Sequence, residues 1–194
     1  MQKRVVVKVL VGAAMVMGTV MQASAAGILL PGQWRSDYRL SINGRDSNLV
    51  MSQFITQIGS AIPTQVKTGS RVGLNSAGNL SSSSVCLPEA VASTLTTPSA
   101  FFNMFSKMNP YCTLVPGQAT ATSVPFTGRC SDAFSYTGNV SGSLQVVDGS
   151  NWSVTMEGAG KFPDAVLTAL NIPAKTTVMM RSSAKSYRAY YKCI

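Results

Sequence analysis

Four cysteines constrain the fold of this chain more than any other feature of its sequence. They stand at positions 86, 112, 130 and 193, and the intervals between them are 26, 18 and 63 residues. A zinc site built from cysteines normally contains ligands that are only a few residues apart, and no interval here is that short. An even number of cysteines instead predicts two disulfides if the chain is exported, as its first residues indicate below. Three pairings of the four cysteines are possible.

The residues between Cys112 and Cys130 favour one of these pairings. The segments 113–117 and 122–126 are typical of two strands joined by a short loop. Such an arrangement places the two cysteines opposite each other, within the Cα separation of about 7 Å that a disulfide allows. We therefore expect a Cys112–Cys130 disulfide and, with those two cysteines assigned, a second one between Cys86 and Cys193.

The start of the chain is typical of an export signal. Basic residues at positions 3, 4 and 8 precede an apolar run over 9–20, and small residues occupy positions 23 and 25. This order predicts a secretory signal peptide that is cleaved after Ala25. It also predicts a bacterial protein of the periplasm or the medium.

A transmembrane anchor is the alternative for this segment, because the uncharged stretch 9–28 is long enough to span a bilayer. Gln22 and Ser24 interrupt its second half, however, and no basic stop-transfer cluster follows. We therefore expect residues 1–25 to be a signal peptide and residues 26–194 to form a single β-rich, disulfide-bonded domain. No transmembrane helix is expected after cleavage.

The composition restricts the chemistry that the chain can perform. It contains no histidine, which excludes catalytic systems and metal sites that depend on imidazole. Segments 67–69 and 182–185 match the K-T-G and S-x-x-K motifs of serine β-lactamases, but their order is reversed and no S-D-N is present. We predict a non-enzymatic protein with no catalytic residues, no metal site and no cofactor.

Positive charge is concentrated near the end of the chain. Removal of the signal peptide leaves 13 basic and 7 acidic residues, and no acidic residue follows Asp164. We predict that the late basic residues form a face for an anionic partner, which would be an envelope protein, a lipid or an anionic polymer; they are Arg181, Lys185, Arg188 and Lys192. The alternative is a solvated strand face, and nucleic acid is not an expected partner of an exported chain.

Hydrophobic periodicity predicts a mainly β fold with some helix. Residues 33–42 alternate between apolar and charged side chains, which is typical of a half-buried strand, and Asn43-Gly44 is typical of a turn. A period near four predicts a helix over 47–58. Further helices are predicted at 88–94, from Thr97 and at 162–170. Further strands are predicted at 124–131, 134–139, 142–147 and 151–158, and another one ends at 84–86.

The C-terminal strand is predicted to change register. Apolar side chains occupy even positions at Val178 and Met180, whereas after Ser186 they occupy odd positions, from Tyr187 onward. One uninterrupted strand cannot bury both sets. A turn or a bulge is therefore expected within 181–186.

A stripe of aromatic residues lies on the helix that begins at Thr97. Such a stripe usually packs a helix onto a sheet, and it can also line a ligand site. A second possible function follows, that of a carrier for a small apolar ligand or lipid in a barrel-like cavity. The residues predicted to line that cavity are Phe101, Phe105, Trp152 and Tyr187.

These patterns predict one domain, an antiparallel curved sheet or partly open barrel with two or three short packed helices. The first predicted function is that of an envelope protein that binds a partner or a surface through its sheet, its basic terminal strand, or both.

Three short motifs resemble those of a bacterial family of exported domains of unknown function. Its members begin with PG-x-W, as at 31–34, carry V-C-L in mid-chain, as at 85–87, and end in a short strand that finishes with a cysteine, as at Cys193. This chain departs from the family where members carry a Met/Pro-rich region, since a helix is predicted there. The resemblance implies export, disulfides and a mainly β fold, and it implies no catalytic residue.

Overall fold

The computed structural model describes residues 27–58, 72–74, 80–131 and 136–193. The predicted signal peptide lies outside these residues. Within them, one antiparallel sheet contains nine strands: β1 (Gly32–Ile42), β2 (Arg45–Asp46), β3 (Val72–Leu74), β4 (Leu80–Leu87), β5 (Cys112–Pro116), β6 (Ser123–Ser131), β7 (Thr137–Asp148), β8 (Asn151–Lys161) and β9 (Val178–Tyr190). The same residues contain four helices: α1 (Asn48–Ile58), α2 (Glu89–Ala92), α3 (Pro98–Lys107) and α4 (Asp164–Ala169).

The hairpin between β1 and β2 forms because its two turn residues adopt a left-handed backbone. Asn43 and Gly44 have φ angles of 49° and 77°, as a two-residue hairpin turn requires. At the last residue of β2, Asp46 Oδ1 accepts a hydrogen bond of 2.9 Å from the backbone N–H of Asn48. This bond satisfies one free donor at the start of α1. The predicted strand, turn and helix of this segment are all confirmed.

The strand order is β3-β4-β1-β9-β8-β7-β6-β5 with β2 attached to β1. Strands β5 to β8 follow one another as a meander, β9 adds to β8, and β1 then pairs with β9. The strands at the two ends of this order, β3 and β5, do not pair with each other in the described part of the chain. The predicted mainly β class is confirmed, and the sheet is open instead of closing into a barrel.

Side chains of the central strands alternate between the two faces of the sheet, and this alternation is maintained along each strand. Even-numbered residues of β1 and of β6 to β9 face the helices, and we call this side the core face. Leu144 on β7 illustrates the packing, because it is fully buried between its cross-strand neighbours Val124 and Val154. The odd-numbered residues of the same strands form the opposite side, which we call the polar face.

Two apolar clusters cover the core face. One surrounds Val178 and Met180 at the end of the sheet that α4 covers, through Leu167. The other lies beneath α3, where Phe101 and Phe102 are 1% exposed. The ring centroids of Phe101 and Trp152 are 5.1 Å apart in an edge-to-face arrangement, which is a favourable geometry for aromatic pairs.

Both predicted disulfides are confirmed. Cys112 and Cys130 are directly opposed on β5 and β6, with a Cα separation of 4.0 Å. Cys86 on β4 and Cys193 beyond β9 have a Cα separation of 5.3 Å. Two such pairs are consistent with the predicted oxidising compartment. In the part of the chain that the structure describes, no helix has the length and apolar character needed to cross a membrane.

Two predictions about strand continuity are wrong. Strand β9 pairs with β1 and β8 without a register shift over 181–186, so no turn or bulge interrupts it there. The irregularity lies at Ala189, which is skipped between the pairs Gln33–Tyr190 and Trp34–Arg188. Likewise β7 is one strand through Gly142 instead of two, and an added Cβ at Gly142 would come 2.6 Å from the Phe126 ring.

Candidate binding sites on the two faces of the sheet

The polar face carries two adjacent rows of hydrophilic side chains that cross four strands. Strand pairing sets these rows, since each residue lies opposite its neighbours in the sheet. In the order β1, β9, β8 and β7, the first row is Arg39, Ser183, Thr155 and Ser143, and the second row is Ser41, Arg181, Glu157 and Ser141.

These two rows line a groove with a volume of about 660 Å³. Gly44 and Asp46, from the hairpin that follows β1, border it at one side. Five of the eight side chains in the two rows are serine or threonine. A hydroxyl group both donates and accepts hydrogen bonds, so the groove offers short, bidirectional hydrogen-bonding groups with one arginine in each row.

One ion pair lies within the groove. Arg181 Nε is 3.3 Å from Glu157 Oε2, and the two side chains are 76% and 54% exposed. Because solvent screens an exposed pair, the pair contributes little to stability. It does bring the Arg181 guanidinium and the Glu157 carboxylate together within the groove.

Basic residues surround the groove on the polar face. Lys185 and Arg35 lie on the side toward the end of β9, and Arg129 and Lys161 lie on the other side. The groove itself holds as many acidic as basic side chains. Among the described residues of the polar face, the acidic residue outside the groove is Asp37, which faces Lys185 across β1 and β9. Basic residues therefore outnumber acidic ones on the described part of this face, which favours a positive potential there.

The structure divides the four residues of the predicted anionic-partner face. Arg181 and Lys185 lie together on the polar face, as odd-numbered residues of β9. Arg188 lies on the opposite side, where its guanidinium stacks at 4.6 Å from the centroid of the Tyr191 ring. Lys192 follows the end of β9. The four residues therefore do not share one surface. The side chains of β9 keep the same alternation of faces up to Arg188, so Arg188, at an even position, lies on the other side of the sheet from Arg181 and Lys185.

A second site lies on the core face, between α3 and the sheet. It is a cavity of about 210 Å³. Its walls include three of the residues predicted to line an apolar cavity, Phe101, Phe105 and Trp152, together with Trp34, Met104 and Met108. The fourth predicted residue, Tyr187, is an odd-numbered residue of β9 and is 38% exposed. Its assignment to this cavity is wrong, since Tyr187 lies on the polar face, opposite Arg35 and Asn151.

Polar groups also line this cavity. Ser36 is nearly buried, and its hydroxyl forms a hydrogen bond with that of Ser186 on the neighbouring strand. Asn109 Nδ2 donates to Phe105 O at 2.7 Å. Tyr38 and Asn109 also line the cavity, and no described residue hydrogen-bonds to the Tyr38 hydroxyl or to Asn109 Oδ1.

Most residues of the polar groove were not singled out from the sequence. The alternation over 33–42 already places Arg39 and Ser41 on the side away from the core. What the sequence did not reveal is that β1 pairs with β9, which brings these residues next to Ser183 and Arg181. The described residues contain no group of three or more Cys, Asp or Glu side chains that could hold a metal ion.

Comparisons with protein-family models, with curated proteins and with solved structures found no match for this chain. What the two sites bind is therefore inferred from their own residues.

Proposed function

We propose that this chain is an exported, non-enzymatic binding protein whose polar sheet face binds an anionic, hydroxyl-bearing polymer such as an acidic glycan. The observation that carries the proposal is the groove of about 660 Å³ that crosses β1, β9, β8 and β7. The signal-peptide pattern, the two disulfides and the resemblance to a family of exported domains support export.

The side chains of the groove suit a ligand rich in hydroxyl groups. Serine and threonine hydroxyls can each donate to one ligand oxygen and accept from another. Ser183 and Thr155 are neighbours in one row and Ser41 and Ser141 lie in the other. Neutral hydroxyls arranged in rows match the repeating hydroxyls of a sugar chain better than they match an apolar surface.

The charges of the groove and its surroundings favour an acidic ligand. Arg39 and Arg181 place a guanidinium in each row, and a guanidinium can hold a carboxylate or phosphate with two parallel hydrogen bonds. The basic residues around the groove, such as Lys185 and Arg129, add attraction at longer range. Binding should therefore weaken as the salt concentration rises.

The shape of the site favours a polymer over the other predicted partners. A flat membrane cannot enter a groove that runs across four strands. Protein interfaces concentrate aromatic and large apolar residues at their centres, and none of the described residues that line this groove is aromatic. A linear polymer can follow the two rows from β1 to β7.

Binding to a panel of polymers tests the proposal. The exported protein should bind an acidic polysaccharide, for instance polygalacturonate, and should not bind the neutral polysaccharide dextran or vesicles that contain phosphatidylglycerol. Isothermal titration calorimetry measures the affinity for the polysaccharides, and vesicle sedimentation measures lipid binding. Equal binding to dextran and polygalacturonate, or binding to the vesicles alone, would contradict the proposal.

The carrier function remains a second proposal, and the core-face cavity favours it. Aromatic and thioether side chains such as Phe105, Trp152 and Met104 form its walls. Native mass spectrometry of protein purified from its own host distinguishes the two functions. A retained small molecule supports the carrier, and a bare polypeptide mass supports the polymer-binding protein alone.

A further inference from the structure

We infer that the core-face cavity is a binding site for a small ligand that contains one aromatic ring and one hydrogen-bonding group. This site lies on the opposite side of the sheet from the polar groove, and its occupation goes beyond the polymer binding proposed above. The inference rests on the second proposed function, that of a carrier, and names the class of ligand that the carrier would bind; it does not depend on polymer binding.

The volume of the cavity sets the size of the ligand. At about 210 Å³, it falls below the range of about 300–1,000 Å³ that is typical of sites for drug-sized molecules. It exceeds the volume of about 150 Å³ at which an apolar protein cavity binds benzene. A substituted single ring therefore fits, and a full lipid molecule does not.

The walls of the cavity favour an aromatic ligand. Phe101 and Phe105 meet Trp152 with their rings at 78° and 72°, so aromatic edges and faces are already presented to each other. A further ring can join such a cluster in the same edge-to-face geometry. Met104 and Met108 complete the wall on the helix side, and thioether groups make favourable contacts with aromatic rings.

Two polar groups define where the ligand needs a hydrogen-bonding group. Tyr38 and Asn109 are among the residues that line the cavity, and both are partly exposed. No described residue hydrogen-bonds to the Tyr38 hydroxyl or to Asn109 Oδ1. Polar side chains in the wall of an otherwise apolar site fix the orientation of a ligand that can hydrogen-bond to them. A phenolic hydroxyl can donate to Asn109 Oδ1 or accept from Tyr38.

The two tryptophans of the chain allow a direct test, because both line the cavity. The probes are 4-fluorophenol and fluorobenzene, which share a ring and differ in one hydroxyl. Their affinities for the exported protein are measured by fluorine NMR, and the indole N–H signals of Trp34 and Trp152 report where they bind. We expect 4-fluorophenol to shift both indole signals with saturation and to bind several-fold more tightly than fluorobenzene.

Three variants locate the site and its polar group. Val85 lines the cavity and is 49% exposed, so Val85→Phe should fill part of the cavity and weaken 4-fluorophenol binding at least tenfold. Val115 is 57% exposed on the edge strand β5, and the matched control Val115→Phe should bind as the wild type does. Tyr38→Phe should reduce the preference for 4-fluorophenol over fluorobenzene.

Absence of any indole shift with millimolar 4-fluorophenol would overturn the inference. Wild-type affinity in the Val85→Phe variant would overturn it as well. An unchanged preference in Tyr38→Phe would contradict the role given to the Tyr38 hydroxyl. None of these results bears on the polar groove, which is tested separately with polysaccharides.

Discussion

Arg181 on β9 and Glu157 on β8 lie directly opposite each other on the polar face, with Arg181 Nε 3.3 Å from Glu157 Oε2. Both side chains are largely exposed, at 76% and 54%. The pair therefore adds little to the free energy of unfolding. The pair should instead lower the affinity for an anionic ligand, because Glu157 competes with that ligand for the Arg181 guanidinium.

Replacement of Glu157 separates these two effects. Glu157→Gln should change the free energy of unfolding by less than about 1 kcal/mol, as expected for an exposed ion pair. The same change should raise the affinity for polygalacturonate several-fold, because it removes a negative charge and frees Arg181. Calorimetry measures the affinity, and urea denaturation measures the stability.

The matched control is Glu89→Gln, which removes the same charge from the exposed first turn of α2. This control should leave the affinity unchanged. An equal rise in both variants would mean that net charge, and not the Arg181–Glu157 pair, limits binding.

The disulfides should differ in their contribution to stability. Cys86 and Cys193 are 107 residues apart, and Cys112 and Cys130 are 18 apart. In the chain-entropy model a bridge that closes about 100 residues contributes nearly 5 kcal/mol and one that closes about 15 contributes about 3 kcal/mol.

We therefore expect the double variant C86S/C193S to lose more stability in urea denaturation than C112S/C130S. A larger loss in C112S/C130S would contradict this order. Non-reducing peptide mapping of each variant checks that the remaining bridge is intact.

Truncation of a core side chain should be far more costly than truncation on the surface. Leu144 is fully buried on the core face, and Val147 on the same strand is 66% exposed. Leu144→Ala should lower the free energy of unfolding by about 2–5 kcal/mol, because it removes buried methyl groups and leaves a cavity. Val147→Ala should change it by less than about 0.5 kcal/mol. Similar losses in the two variants would contradict the assignment of the core face.

The turn between β7 and β8 should contribute to the stability of the folded state in a pH-dependent way. Asp148 Oδ1 accepts a hydrogen bond of 2.6 Å from the backbone N–H of Ser150 and one of 3.0 Å from Asn151 Nδ2. These bonds hold the pKa of Asp148 below its usual value of 3.8, and the bond from Ser150 has the largest effect. A carboxyl with a depressed pKa stabilises the folded state above its unfolded pKa, and that contribution is lost as the pH falls through the folded pKa.

Carbon NMR should therefore show the Asp148 carboxyl titrating with a midpoint below 3.8. The Asp148→Asn variant should lose less stability than the wild type as the pH is lowered through this range. A midpoint above 3.8 would show that the turn does not stabilise the ionised carboxylate.

Local patterns predicted most of the fold. The alternation over 33–42 predicted β1, the sequence Asn43-Gly44 predicted its turn, and the cysteines predicted their own pairing. Each of these signals depends on neighbouring residues or on a geometric restriction that any disulfide obeys. The strand order depends instead on contacts between distant segments, such as β1 with β9, and no local pattern specifies it.

The wrong prediction for β9 has a specific cause. Serine counts as a polar residue when hydrophobic periodicity is used to find a buried face. Ser182 and Ser186 therefore gave no sign that the even positions of β9 continue to face the core. The structure nevertheless buries Ser186, at 2% exposure, because its hydroxyl is hydrogen-bonded to Ser36 on β1. A buried polar group is tolerated when it is hydrogen-bonded. Tyr187 therefore lies on the polar face, and only three of the four residues predicted to line the cavity do so.

The most direct test of polymer binding at the polar groove is the affinity of R39Q/R181Q for polygalacturonate, measured by calorimetry at low and at physiological salt. The charge-matched control is K107Q/K192Q, since Lys107 lies in the last turn of α3 and Lys192 beyond β9, both outside the groove. We predict that R39Q/R181Q binds at least tenfold more weakly than the wild type and depends less on salt, while K107Q/K192Q stays within a factor of about two. Equal weakening in the two variants would contradict binding at the groove.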